Sequence, residues 1–186
     1  MRIIGGTRRG LKLAEVGEGD VAAHLRPTSD RVREAIFNLL INAHGNPVTG
    51  ARVLDLFAGT GALGLEALSR GATHVTFIDD GKAAATLIRA NIAKLRAEGE
   101  TRLMRHNATR LPLNPGAPYT LVFLDPPYGK ALGVAALASA LAGGWLAPGA
   151  MLVWEEGAAP MPPAEFLEVD QRTYGDTVVT LLRMPE

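Results

Sequence analysis

From residue 52 onward the apolar positions fall into short runs that alternate with helical repeats. Arg52-Val53-Leu54-Asp55-Leu56-Phe57 is a strand-length apolar run with one acid in it. A glycine loop and an Ala/Leu helix reaching about Arg70 come next. His74 to Asp79 predicts a second strand, and residues 82–97 a helix with Leu87, Ile88, Ile92 and Leu95 on one face. Thr101 to Met104 and Tyr119 to Leu124 predict two more strands, residues 130–142 a helix, and Ala150 to Glu155 a fifth strand. Strands alternating with helices imply a parallel sheet with right-handed crossovers and helices on both faces. The nearly continuous apolar runs fit strands buried on both sides. The tail breaks this rhythm. Phe166 to Tyr174 and Thr177 to Leu182 meet at Gly175-Asp176 with no helix between them, which predicts an antiparallel hairpin at the sheet edge.

Ahead of this α/β pattern, Ile3-Ile4 and Leu11-Lys12-Leu13 flank a Gly/Thr/Arg turn and predict a short N-terminal hairpin. Residues 16–24 read as a polar loop. Thr28, Ser29 and Asp30 are helix-capping types that follow Pro27. Val32, Ile36, Leu39, Leu40 and Ala43 then recur at helical spacing, predicting an amphipathic helix over 30–43 that Gly45, Pro47 and Gly50 terminate. The division expected is a basic extension over 1–28 and a main domain over 29–186.

A length of 186 residues with 47% apolar content suits a single folded domain with a small appendage. With no cysteine there is no disulfide, thiolate metal site or cysteine nucleophile, and no metal is expected. No apolar stretch approaches the roughly 18–20 residues that cross a bilayer. The first six residues lack an apolar signal core, so a cytoplasmic location is expected. Formal net charge is zero, but its distribution is uneven: residues 1–150 hold 17 Lys/Arg against 12 Asp/Glu, and residues 151–186 hold 2 against 7. Arg2, Arg8, Arg9 and Lys12 precede any acid, and Arg26, Arg31 and Arg33 soon follow. A local excess of this kind can meet phosphates while the whole chain stays neutral.

In open α/β sheets, ligands bind outside the carboxyl ends of the strands, near the switch in strand order. The polar residues at those ends are Asp55 with its loop, Asp79-Asp80, His106-Asn107 and Asp125-Pro126-Pro127-Tyr128. The loop Phe57-Ala58-Gly59-Thr60-Gly61-Ala62-Leu63-Gly64 contains a G-x-G-x-x-G pattern at Gly59, Gly61 and Gly64. Asp79 lies 24 residues past Asp55, where a carboxylate can accept ribose hydroxyls. Such a set fits a dinucleotide or S-adenosylmethionine. Asp55, directly before the loop, disfavours a pyrophosphate and favours cationic sulfonium and ammonium groups. No G-K-[ST] follows, so a phosphate-gripping loop is not supported. Asn107 offers an amide to an adenine edge.

Asp125-Pro126-Pro127-Tyr128 closes an apolar strand with two prolines, each fixing φ near about −65° and neither able to extend the ladder. The chain must therefore leave the sheet there in a rigid extended turn. The order of segments resembles the class I methyltransferases that modify amino groups of bases, whose signature is [DNS]-P-P-[YFW]. The likeness extends to Arg26-Pro27-Thr28 with Asp30-Arg31-Val32-Arg33-Glu34-Ala35-Ile36-Phe37-Asn38, and to Asp55-Leu56-Phe57-Ala58-Gly59-Thr60-Gly61-Ala62-Leu63-Gly64-Leu65-Glu66-Ala67-Leu68-Ser69-Arg70. With these segments the chain resembles the RsmD family over nearly its whole length.

That resemblance implies an S-adenosylmethionine-dependent, Rossmann-like methyltransferase acting on N2 of a guanine in 16S ribosomal RNA, presented by a partly assembled small subunit. It implies catalysis by Asp125, Pro126, Pro127 and Tyr128. Cofactor binding would fall to Asp55, Phe57, Ala58, Gly59, Thr60, Gly61, Asp79 or Asp80, Asn107 and Ala108. RNA contacts would fall to Arg8, Arg9, Lys12, Arg26, Thr28, Arg31 and Arg33. The sequence departs from the family at two places: Asp79 stands where a glutamate is common, and Asn107 where an aspartate is common. The alternatives are a same-class enzyme acting on adenine N6 or a protein glutamine, a dinucleotide-dependent oxidoreductase, and a non-catalytic RNA-binding assembly factor. Asp55 and the lack of a hydride-handling His/Tyr/Lys set argue against the oxidoreductase.

Overall fold

The computed structural model describes residues 1–15 and 28–186. The polar loop expected over 16–24 and the RNA contact expected from Arg26 lie outside the described residues. Helix α1 (Asp30–Ala43) is followed by β1 (Arg52–Leu56), α2 (Ala62–Ser69), β2 (His74–Ile78), α3 (Lys82–Leu95) and β3 (Thr101–Met104). Then come β4 (Tyr119–Leu124), α4 (Leu132–Ala142), β5 (Leu146–Glu156), β6 (Leu167–Tyr174) and β7 (Thr177–Arg183). The seven strands form one sheet in the order β3-β2-β1-β4-β5-β7-β6. The first five are parallel, and β7 and β6 add antiparallel at the edge, as the helix-free tail predicts. Strand order switches between β1 and β4, so their carboxyl ends open a crevice.

The period of two along the strands sorts the core into two layers. Val53, Val75, Phe77, Leu121, Phe123, Met151 and Val153 face the side covered by α1, α2 and α3. Leu54, Leu56, Ile78, Val122, Leu124, Leu152 and Trp154 face α4. Helix α1 starts where Ser29 caps it, its hydroxyl accepting the Val32 N–H at 3.2 Å; a cap of this type is worth about 1 kcal/mol. Phe37 packs on Phe123 with ring centroids 5.6 Å apart, which ties α1 to the strand that carries the Pro-Pro turn.

The N-terminal arms meet in a single bridge, Arg2 with Lys12, plus bonds from Ile3 N–H to Leu11 and from Gly10 N–H to Ile3. They lie on α2 and α3. Ile3 and Leu13 are buried in the same core layer as those helices, and Asn91 of α3 exchanges bonds with the Ala14 backbone. Strand β5 begins four residues earlier than the apolar run indicates. Leu146 pairs with Tyr119 across a register shift, which lets Pro148 sit in the strand. Short 3-10 turns at Glu98–Glu100 and Ala108–Arg110, too brief for periodicity to reveal, complete the connections. Among the described residues no helix is long and apolar enough to cross a membrane.

Candidate active site

Four carboxyl groups stand at the carboxyl ends of neighbouring strands: Asp79 after β2, Asp55 in β1, Asp125 after β4 and Glu155 in β5. Each lies two residues beyond a side chain of the α1–α3 core layer (Phe77, Val53, Phe123 and Val153). The alternation of the strands therefore turns all four toward the same face.

The glycine loop is built around two of them. Asp55 is buried, and its Oδ2 accepts the Gly64 N–H at 2.9 Å. Burial pushes the Asp55 pKa well up, and the charges of Asp125 and Asp79 push the same way against the Gly64 bond. Asp79 takes the Gly59 N–H at 2.9 Å on one oxygen and the Gly81 N–H at 2.8 Å on the other. Burial raises the Asp79 pKa as well, opposed by those two backbone bonds. Between these carboxylates Phe57 has φ 58° and Gly61 φ 79°. A non-glycine residue in that region stores strain, and it falls where β1 leaves the sheet. A Cβ on Gly64 would lie 2.6 Å from both Phe77 Cε1 and Val75 Cγ1, so a side chain there would push α2 off the sheet.

Phe57, Ile78, Asp79, Asp80, His106, Asn107 and Ala108 line a cleft beside this loop. Asp79 faces the glycine loop, whereas Asp80 is exposed and its backbone carbonyl accepts from Arg105. Asn107 Oδ1 accepts from both the amide and the hydroxyl of Thr109, an arrangement that opens the short 3-10 turn. Ala58 and Thr60 are buried in the loop itself. Ribose hydroxyls need a carboxylate at the strand end, an adenine needs a flat apolar slot with an amide at its edge, and a cationic centre needs nearby negative charge. The residues present fit S-adenosylmethionine on all three counts, with Asp79, the Phe57/Ile78/Ala108 walls and the Asp55 and Asp125 carboxyls in those roles. Among the described residues no group of three metal-ligating side chains comes together.

Across the crevice, Pro126 is buried, Pro127 exposed, and Asp125 and Tyr128 half-buried. The turn is held from β5 and β7. Tyr128 Oη pairs with Thr177 Oγ1 at 3.2 Å, Glu156 Oε1 accepts the Gly129 N–H at 3.2 Å, and the Tyr128 ring packs on Gly157. Asp125 Oδ2 accepts from Thr28 Oγ1 at 3.1 Å. That same hydroxyl lies 3.4 Å from each oxygen of buried Glu155.

The basic residues expected to meet RNA separate into two sets. Arg9, Lys12 and Arg31 are exposed. Arg33 is not: it is fully buried, donates to Asp30 at 2.9 Å and to the Arg2 carbonyl, and sits 3.6 Å from Glu66. Its place on the apolar face of α1, three residues before Ile36, turns it inward, so it braces the interior and does not reach a phosphate. Arg8 is half-buried and paired with Glu100 at 2.6 Å. Thr28 points into the site, onto carboxylates, and not out to RNA. Glu66 and Glu155 went unread in the sequence, because a single acid in an apolar helix or strand looks like an edge residue until its neighbours are known.

A mostly parallel sheet with this strand order, a glycine loop between two carboxylates and a Pro-Pro turn across the switch point define a methyltransferase of class I fold. A family model described as "Conserved hypothetical protein 95" matches residues 1–183. The Ribosomal RNA small subunit methyltransferase D of Escherichia coli K12 is 40% identical over 184 residues, covering 97% of this chain and 88% of the relative. The chain belongs to this family, the RsmD family. Among solved structures, yhhF from Escherichia coli superposes with a TM-score of 0.83 at 37% identity, covering 100% of this chain and 98% of that one. SMU.776, crystallised in complex with SAH, shares the fold with a TM-score of 0.57 at 17% identity over 82% of this chain and 49% of its own.

Proposed function

We propose that this protein methylates the exocyclic N2 amine of a guanine in small-subunit ribosomal RNA, using S-adenosylmethionine, in the cytoplasm where small subunits assemble. The observation that carries this reading is the rigid Asp125-Pro126-Pro127-Tyr128 turn, held by Glu156 and Thr177 across the crevice from the Asp55–Asp79 loop. The curated relative of the same family is named as a small-subunit ribosomal RNA methyltransferase, which supports RNA over DNA or protein as substrate.

When bound, S-adenosylmethionine supplies an electrophilic methyl group on a sulfonium. The rest is done by the chain's own groups. A guanine amine is a poor nucleophile because its lone pair is delocalised into the ring. Asp125 and the Pro126 carbonyl accept its two N–H groups, orient the nitrogen and favour the positive charge that builds on it during attack. Pro127 keeps the turn rigid. The Tyr128 ring offers a face to the target base, which must leave its helix or loop to enter; stacking of this kind is worth roughly 1–3 kcal/mol. Asp79 holds the ribose, and Asn107 with Ala108 borders the adenine. The N-terminal arms contact RNA through exposed Arg9 and Lys12, and α1 contributes exposed Arg31. A surface this small recognises RNA shape, as a partly assembled subunit presents it, in preference to a long sequence.

The test is methyl transfer from labelled S-adenosylmethionine to small-subunit RNA, naked and in subunits, followed by nucleoside analysis. N2-methylguanosine is the expected product, and Asp125→Ala abolishes it. Label on adenine or on protein overturns the assignment.

A further inference from the structure

The acid beside Asp125 has no part in the chemistry described so far. Glu155 follows Trp154, whose strand partner is Leu124, so Asp125 and Glu155 sit side by side one step beyond that pair. Glu155 is 1% exposed. The neighbouring Glu156 has a separate task, accepting the Gly129 amide that follows the turn and the Gly157 amide next to itself. Between Asp125 and Glu155 stands one hydroxyl, Thr28 Oγ1, 3.1 Å from Asp125 Oδ2 and 3.4 Å from both Glu155 oxygens.

We propose that Glu155 is a positioning residue for methyl transfer, holding the Asp125 carboxylate in one orientation through the Thr28 hydroxyl. This rests on the reading of Asp125 as the amine acceptor. A hydroxyl carries one proton and can donate it to one carboxylate at a time. The shorter contact assigns that proton to Asp125. Glu155 is then satisfied only as a neutral acid, donating to the lone pairs of Thr28 Oγ1. The chain Glu155 O–H to Thr28 O–H to Asp125 places every proton. An ionised Glu155 would compete with Asp125 for the same hydroxyl and add a second negative charge beside it.

The surroundings favour the neutral form. Burial pushes the Glu155 pKa well up, and the charges of Asp125 from β4 and Asp55 from β1 push it the same way; the Thr28 bond and Arg33 from α1 pull it down. Arg33 is already committed to Asp30 and Glu66. The negative charge at the amine site therefore rests on Asp125. Thr28 immediately precedes the Ser29 cap of α1, so the first turn of that helix sets the hydroxyl's place.

The test is steady-state methyl transfer to small-subunit ribosomal RNA across pH, with kcat and KM resolved. Glu155→Ala lowers kcat by about tenfold or more, since small misplacements of a reacting group cost that much, and leaves the KM for S-adenosylmethionine within about twofold. Thr28→Val gives the same pattern. Glu155→Gln, which keeps a neutral donor, recovers most of the kcat lost in Glu155→Ala. It also removes the alkaline fall in kcat that ionisation of Glu155 imposes on the wild type. S-adenosylhomocysteine binding and the melting temperature identify any variant that has lost its fold; for such a variant, Glu155→Gln and its pH profile decide. Wild-type kcat in both Glu155→Ala and Thr28→Val overturns the proposal, as does Glu155→Gln with the full loss and an unchanged alkaline limb. If Asp125→Ala retains methylation, the amine-acceptor reading itself has failed. If Asp125→Ala is inactive while the Glu155 and Thr28 variants are normal, only the positioning role has.

Discussion

The Asp55 carboxylate accepts the backbone N–H of Gly64 at 2.9 Å, binding the end of β1 to the first turn of α2. The last glycine of the loop therefore serves the protein before it serves a ligand. It lets α2 approach Phe77 and Val75 and brings its amide to a buried acid. Gly64→Ala puts a methyl 2.6 Å from two core side chains. Overpacking of this kind costs roughly 1–3 kcal/mol. Denaturant melts should show that loss, and calorimetry should show weakened S-adenosylhomocysteine binding, because the displaced helix carries the loop with it. Unchanged binding with unchanged stability would mean that α2 yields without cost.

Much of this arrangement was legible beforehand. The strands follow from short, nearly continuous apolar runs, the edge hairpin from two runs with no helix between them, and the four polar strand ends from the residues that close those runs, among them prolines that cannot continue a ladder. The shared face of Asp55, Asp79, Asp125 and Glu155 follows from parity with Val53, Phe77, Phe123 and Val153 only once the core layers are known. What could not be read was tertiary pairing. Arg33 looks like a phosphate ligand in a basic stretch, and only the packing of α1 against α2 reveals Glu66 behind it. Thr28 looks like a capping or RNA residue until α1 is docked and its hydroxyl meets β4 and β5.

Asp55 also gives the stability a pH dependence. Its pKa in the folded protein is raised by burial, so the native state keeps this proton to higher pH than the unfolded chain does. Its contribution to stability is fully present below the ordinary carboxyl range and is lost as pH rises through the raised value. Asp55→Asn has no such proton, and its amide oxygen can still accept the Gly64 N–H. The stability of Asp55→Asn relative to wild type should therefore increase from acid to neutral pH. Parallel chemical melts at several pH values check this, and a difference that is flat or falls with pH contradicts it.

Glu66 holds the N-terminal segment in place. Its buried carboxylate accepts the Ile4 and Gly5 amides at 2.8 Å each and Arg70 Nε at 2.7 Å, and it faces Arg33. Glu66→Ala leaves a buried guanidinium without this counter-charge and two amides without an acceptor. Removing one partner of a buried ion pair costs about 3–5 kcal/mol. The expected result is a drop of that order in unfolding free energy, with faster amide exchange at Ile4 and Gly5 than at the central strands. Glu66→Gln, which keeps one acceptor oxygen, should lose less. Equal losses would assign the effect to charge alone.

The division among the basic residues gives the last prediction. Arg9 and Lys12 are exposed on the N-terminal arms, whereas Arg8 is tied to Glu100 and Arg33 is buried. Each phosphate contact releases a counterion, so deleting one lowers the slope of log affinity against log salt by about 1. Arg9→Ala and Lys12→Ala should each weaken binding to small-subunit RNA and flatten that slope, with no loss of melting temperature and no change in S-adenosylhomocysteine affinity. Arg33→Ala should do the opposite, unfolding more easily while the salt slope of the protein that remains folded stays the same. Titrations at several salt concentrations, each paired with a melt, separate the two behaviours. An unchanged slope in Arg9→Ala and Lys12→Ala together would remove the N-terminal arms from the RNA interface and leave α1, through Arg31, as the surface to test.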